Sequence, residues 1–112
     1  MKPLMQLTAA AFAVGLCLPS HAQEANSARA LAATCFTCHG TDGRSVGGVP
    51  PSIAGQSKTT LLQSLREFRD GKRPATIMHQ HAKGYTDAQL DAIAGYFASV
   101  PANPATPARS GY

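Results

Sequence analysis

No second cysteine pair, no run of basic residues and no apolar stretch long enough to cross a bilayer occur in this 112-residue chain. The first absence rules out a four-ligand structural zinc site built on cysteine, since Cys17, Cys35 and Cys38 are the only cysteines. The second removes the case for nucleic acid as a partner: the formal charge is only +4, and aromatic residues are hardly interleaved with the basic ones. The third bears on the N-terminal stretch Leu4 to Leu18, which is mostly apolar. It falls short of the roughly 20 residues that a membrane span needs, and Gln6, Thr8 and Gly15 interrupt it. The chain also lacks an internal repeat and a clear strand pattern.

What the N-terminus does have is the grammar of an export signal. Lys2 supplies a short positive region, the apolar run follows, and Pro19-Ser20-His21-Ala22 offers a helix breaker and a small-x-small site. Cleavage is expected after Ala22, with Cys17 leaving as a bystander; bulky Leu16 before it is unlike the small residue of a lipoprotein site. The expected organisation is a signal peptide over 1–22, one domain over 23–100 and a Pro/Ala-rich tail over 101–112. That places the protein in the periplasm with no stable membrane insertion after cleavage. A domain this short has a modest core and is marginal without a disulfide, metal or cofactor.

Cys35-Phe36-Thr37-Cys38-His39 answers that need. Two cysteines three positions apart followed at once by histidine form the attachment signature of a c-type haem. On a helix Cys35 and Cys38 project from one face, and His39 lies one turn beyond Cys35. One short segment can therefore hold the macrocycle through thioethers and still reach the iron. Thiol–disulfide exchange is the rival use of such a pair. It would want a strand before the motif and a βαβ pattern around it, and neither is visible. A disulfide between Cys35 and Cys38 would close too small a loop to stabilise much.

Periodicity predicts three helices. Ala28, Leu31, Ala32 and Cys35 follow helical spacing, so the first is expected from about Asn26 to Cys38. Leu61, Leu62, Leu65 and Phe68 mark a second over Lys58 to Asp70, closed by Gly71, with Arg66 and Arg69 suited to its C-terminal end. Thr86 and Gln89 form a capping box for the third, whose buried stripe is Leu90, Ile93, Ala94 and Phe97, and Pro101 ends it. Gly40 to Gly55 reads as loop, and Lys72 to Tyr85 as irregular. The fold class is all-α.

These features together resemble the class I c-type cytochromes, in particular the cytochrome c4 and c553 groups. The resemblance rests on Cys35 to Gly40, on Pro51-Ser52-Ile53-Ala54-Gly55-Gln56, on Phe68 to Arg73, on Met78 and on Gly95-Tyr96-Phe97. It is similar also to the haem subunit of flavocytochrome c sulfide dehydrogenases, through Thr76-Ile77-Met78, Ala82-Lys83-Gly84-Tyr85 and Ala94-Gly95-Tyr96-Phe97. Such subunits often carry two haem domains, whereas this chain has one motif. The resemblance implies a small class I fold, three main helices plus loops wrapped around one covalently attached haem c.

It also implies Met78 as the second axial ligand opposite His39, and Met78 is the only methionine left once Met1 and Met5 depart with the signal. His79 and His81 are the competing ligands; the plainer view makes both exposed polar residues near the haem edge. The family pattern points to Pro51, with Pro50 as the alternative, as the carbonyl that accepts from the second ring nitrogen of His39. Gly95 and Tyr96 match the place where first and last helices cross. Iron bound by both His39 and Met78 has no open position, so the expected chemistry is one-electron transfer without a catalytic site. The partners implied are redox proteins: a flavoprotein sulfide dehydrogenase subunit, or respiratory complexes served by a diffusible carrier. Lys58, Lys72, Arg73 and Lys83 are candidates for a docking rim.

Overall fold

A computed structural model describes residues 21–102, with side chains from position 27 onward. Positions 1–20 of the expected signal peptide and the tail beyond 102 lie outside the described residues. The chain runs as α1 (His21–His39), a short 3-10 turn (Thr41–Gly43), α2 (Lys58–Arg69), α3 (Met78–Lys83) and α4 (Asp87–Ser99). No strand occurs among the described residues, and the molecule is all-α as expected.

The core lies where α1 and α2 meet α4. Ala32 of α1, Leu61 of α2 and Ile93, Ala94 and Phe97 of α4 form one buried cluster, flanked by Leu31, Cys35, Phe36, Leu62 and Leu65. Leu90, Ile93 and Phe97 are the largest fully buried side chains, each contributing about 1.5–3 kcal/mol through apolar burial. Phe36 meets Phe97 edge-on at 6.2 Å between ring centroids, and Tyr96 meets Phe97 edge-on at 5.3 Å. The small side chains of Ala32 and Ala94, both 0% exposed, belong to the same seam. Gly95, read as part of the crossing with α1, instead faces α2: a Cβ there would stand 3.6 Å from Lys58 Cε.

Local chemistry sets the helix ends. Ser57 caps α2 by accepting from Thr60 N–H. At its other end Gly71 N–H donates to Phe68 O and Lys72 N–H to Glu67 O. That pairing is a Schellman closure, and it needs the left-handed φ of 70° that Gly71 adopts. Thr86 and Gln89 form the reciprocal capping box of α4: Gln89 N–H donates to Thr86 Oγ1 at 3.3 Å and Thr86 N–H to Gln89 Oε1 at 2.9 Å. Asp87, in the first turn of α4, accepts from Arg69 Nη1 at 2.9 Å and Arg66 Nε at 3.3 Å, tying the end of α2 to the start of α4. These hydrogen bonds and charges, Arg69 foremost, hold the Asp87 carboxyl below its ordinary range.

One expectation fails in detail. The segment Lys72 to Tyr85, read as irregular, contains helix α3. Ile77 O starts it by accepting from Gln80 N–H and His81 N–H, and Ala82 seals it at 1% exposure. Met78, Ala82 and Tyr85 keep helical i, i+4, i+7 spacing. That signal was present but short, with only one strongly apolar member.

Candidate haem-binding site

Helix α1 carries Cys35, Cys38 and His39 in its last turn and a half. Both cysteines are free thiols; Cys35 is half-buried and Cys38 exposed. Burial pushes the Cys35 thiol above its usual pKa, a hydrogen bond with Thr34 pulls it partly back, and Cys38 adds to the rise. A thiol-exchange motif wants the reverse, a nucleophilic cysteine with a depressed pKa. Cys35 packs against the core together with Leu31 and Phe36, while Cys38 faces outward.

His39 is 9% exposed, and its Nδ1 lies 2.7 Å from the carbonyl oxygen of Pro51. A carbonyl can only accept, so Nδ1 carries the proton and Nε2 is left as the lone-pair donor. That is the arrangement a ligating imidazole requires: one nitrogen held, the other free for iron. Of the two expected prolines, it is the Pro51 carbonyl that lies within hydrogen-bond distance of His39.

The loop that delivers Pro51 is built on Gly43. Its carbonyl accepts from Ile53 N–H at 2.9 Å and Ala54 N–H at 3.1 Å, which folds the chain back onto the turn after His39. Gly43 has φ of 79°, and a Cβ would fall 2.7 Å from Phe97 Cδ1, so only glycine fits between the loop and α4. Ser45 N–H donates to Ser52 Oγ, and Gly55 N–H to Phe97 O. Asp42, just ahead of Gly43, accepts from Tyr96 OH and pairs with Arg29 Nη2 at 3.2 Å. The Tyr96 hydrogen bond, then Arg29 and Arg44, lower the Asp42 pKa; burial and that carboxylate raise the Tyr96 pKa.

Met78 comes from a different element, as the first residue of α3, and is half-buried. It shares its helix face with buried Ala82, four positions on. His81 is exposed and His79 half-buried. Tyr85, just after α3, lies with its hydroxyl 2.7 Å from Thr34 Oγ1, next to Cys35 on α1. Of the expected docking cations, Lys58 is bound to Asp91 at 2.8 Å, while Arg73 reaches Ser64 Oγ at 2.8 Å and stacks over Phe68. Lys72 and Lys83 stay exposed. Asp42, Tyr96, Arg29 and Thr34 were missed as site-supporting residues, because no local pattern links positions so far apart.

The donor set fits a haem better than a bare metal. No cluster of three or more His, Cys, Asp or Glu side chains able to hold a metal ion occurs among the described residues. A macrocycle brings four nitrogens of its own and asks the protein only for axial ligands and a covalent hold. Helical shell, paired thiols and a second-partnered histidine define the c-type cytochrome class.

Comparison with known proteins agrees. The cytochrome c family model matches residues 25–101, and the chain belongs to that family, whose members carry covalently attached haem c and transfer electrons. It is 44% identical over 70 residues to the cytochrome subunit of sulfide dehydrogenase from Chlorobaculum tepidum, covering 62% of this chain and 63% of that one. It is 41% identical over 69 residues to cytochrome c-554(548) of Halomonas halodenitrificans, covering 59% of this chain and 83% of the relative. Cytochrome c4 of Pseudomonas aeruginosa shares 39% identity over 87 residues, 77% of this chain and 43% of its own length. The solved cytochrome c4 structure from Acidithiobacillus ferrooxidans superposes with a TM-score of 0.63 at 34% identity, covering 69% of this chain and 49% of that one. The chain thus spans less than two thirds of several relatives it matches.

Proposed function

We propose that this chain is a periplasmic monohaem cytochrome that takes single electrons from a flavoprotein sulfide dehydrogenase and passes them on. Cys35 and Cys38 would hold the haem, each thiol adding across a vinyl group so that sulfur bonds one carbon and the thiol proton goes to the other. His39 Nε2 and the Met78 thioether would be the axial ligands. When bound, the haem supplies one-electron exchange between ferric and ferrous iron.

The observation that carries this reading is the His39–Pro51 hydrogen bond at the end of the helix bearing both cysteines. It fixes the imidazole tautomer, orients the ring and leaves Nε2 free. A thioether partner favours the ferrous state and raises the potential relative to two histidines. Met78, sharing a face with buried Ala82, suits that role better than exposed His81. The sulfide dehydrogenase assignment draws on the similarity to the Chlorobaculum tepidum subunit. Export rests on the N-terminal signal pattern, and no helix among the described residues is long and apolar enough to cross a membrane. A diffusible carrier is the second reading, favoured by similarity over 83% of cytochrome c-554(548).

A pyridine haemochrome spectrum of the protein exported to the periplasm tests the attachment; it should be of c type with one haem per chain. The oxidised protein should show the weak far-red band of methionine–iron(III) coordination, and Met78→Ala should abolish it. Persistence of that band in the variant would remove Met78 as ligand. Native purification separates the two partner readings: co-elution with a flavin-containing protein at low salt supports the subunit, elution alone the carrier.

A further inference from the structure

The turn that follows His39 is gripped from both sides by residues distant in sequence. Asp42 holds φ of 55°, the one non-glycine residue with positive φ among the described residues. Aspartate tolerates this left-handed conformation better than most residues, and its short carboxylate can be held by neighbours there. Here Tyr96 OH of α4 donates to its carboxylate, and Arg29 of α1 pairs with the same oxygen at 3.2 Å. The next residue, Gly43, offers the carbonyl that receives Ile53 N–H and Ala54 N–H. Two positions before Ile53 stands Pro51, whose oxygen binds His39 Nδ1 at 2.7 Å. A continuous path therefore runs from α1 and α4 through the turn and loop to the imidazole.

We propose that Arg29, Asp42 and Tyr96 form a clamp that sets the plane and basicity of the His39 imidazole by fixing where the Pro51 carbonyl stands. The three are positioning residues: none touches His39, and they act through Gly43 and Pro51. The inference rests on His39 being an iron ligand. Tyr96 belongs to the aromatic cluster with Phe36 and Phe97, so its ring can stay in place when only the hydroxyl is removed. Loss of that donor frees the Asp42 carboxylate on one side, and the loop can then shift relative to the ring. A change at the second nitrogen of a ligating histidine alters both the ring orientation and the electron donation to the metal.

The test uses the haem-loaded protein. Proton spectra of the ferric form report the histidine plane through the order and spread of the haem-methyl resonances, and redox titration reports ligand basicity through the midpoint potential. Tyr96→Phe is expected to change the methyl pattern and shift the midpoint, with the far-red methionine band retained. Arg29→Gln, at a half-exposed guanidinium, is expected to move both readouts the same way by a smaller amount. Thr86→Ala, which removes a cap remote from the turn, should lower thermal stability and leave both unchanged. If Tyr96→Phe and Arg29→Gln lower only the melting temperature, with methyl pattern and midpoint as in the wild type, the clamp is merely structural and the proposal is overturned. If wild-type protein carries covalent haem without histidine ligation, the clamp falls together with the reading of His39, and the wild-type spectrum makes that case distinct.

Discussion

His39 closes a 19-residue helix that packs along α4, whereas Met78 opens a helix of only 6 residues. Around His39 the restraints are many and overlapping: the Pro51 carbonyl, the double acceptor Gly43, the Arg29–Asp42–Tyr96 clamp and the Phe36–Tyr96–Phe97 rings. Around Met78 long-range hydrogen bonds are fewer, and α3 packs against α2. Ala82 anchors α3 by burial, Tyr85 reaches across to Thr34, and neighbouring Ile77 remains 54% exposed. The difference teaches that one proposed axial ligand is fixed by interlocking hydrogen bonds at the core, while the other opens a short helix that packs on α2 with few such bonds. Local opening should begin at α3, where Ala82 is the one buried side chain, because regions with few buried side chains open at lower free energy.

The sharpest way to break that contrast is to damage the core behind His39. Phe97→Ala removes a side chain that is 1% exposed and touches the loop glycine, the aromatic cluster and α1. A loss of about 3–5 kcal/mol is expected, with both halves of the site unfolding together in denaturant titrations followed by far-ultraviolet circular dichroism and by haem absorbance. Separate transitions would mean that the two halves do not share the core. Gly43→Ala comes next, since its Cβ would meet Phe97 and Ile53 at 2.7 to 2.9 Å in a left-handed conformation. Overpacking of that kind costs about 1–3 kcal/mol, and the variant should melt earlier by calorimetry.

Tyr85→Phe probes the lighter side. It removes one exposed hydrogen bond, worth about 0.5 kcal/mol at the low end of the usual range, so the global midpoint should move by only a few degrees. The far-red methionine band should nevertheless disappear at lower denaturant or temperature than in the wild type. If band and global signal still vanish together, α3 is not an independent arm. The smallest effect is electrostatic. Asp42 and Asp87 both have lowered folded-state pKa values, through Tyr96 and Arg69 respectively. Their stabilising contributions are complete above the ordinary carboxylate range and disappear as pH falls through the depressed folded values. Melting temperature should drop in that acid window, and Asp42→Asn should flatten part of the slope. An unchanged slope would show that Asp42 binds its partners equally well in both protonation states.

Much of this molecule was legible along the chain because its signals are local. The caps at Thr86 and Gly71 depend on residues within one turn, and they formed as the spacing required. The stripe of Leu90, Ile93, Ala94 and Phe97 is buried for the same reason. Helix α3 was missed because six residues offer too little periodicity, and what seals it is the packing of Ala82 rather than any intrinsic pattern. The surface partners of two expected docking cations were also beyond the sequence: Lys58 pairs with Asp91 and Arg73 reaches Ser64, and both stay exposed.

Cys35, Cys38 and His39 need only one helical turn to share a face, so the sequence alone determined that the three groups proposed to hold a haem and its iron stand together. The partners of that segment were decided elsewhere. Pro51 lies 12 positions from His39, Tyr85 51 from Thr34 and Tyr96 54 from Asp42. Hydrogen bonds across such separations exist only once helix crossing and loop closure have brought the groups together. They need distances and angles near ideal, and a residue pattern cannot state either. The chemistry of attachment is therefore a local property of five residues, and the control of the imidazole is a property of the fold.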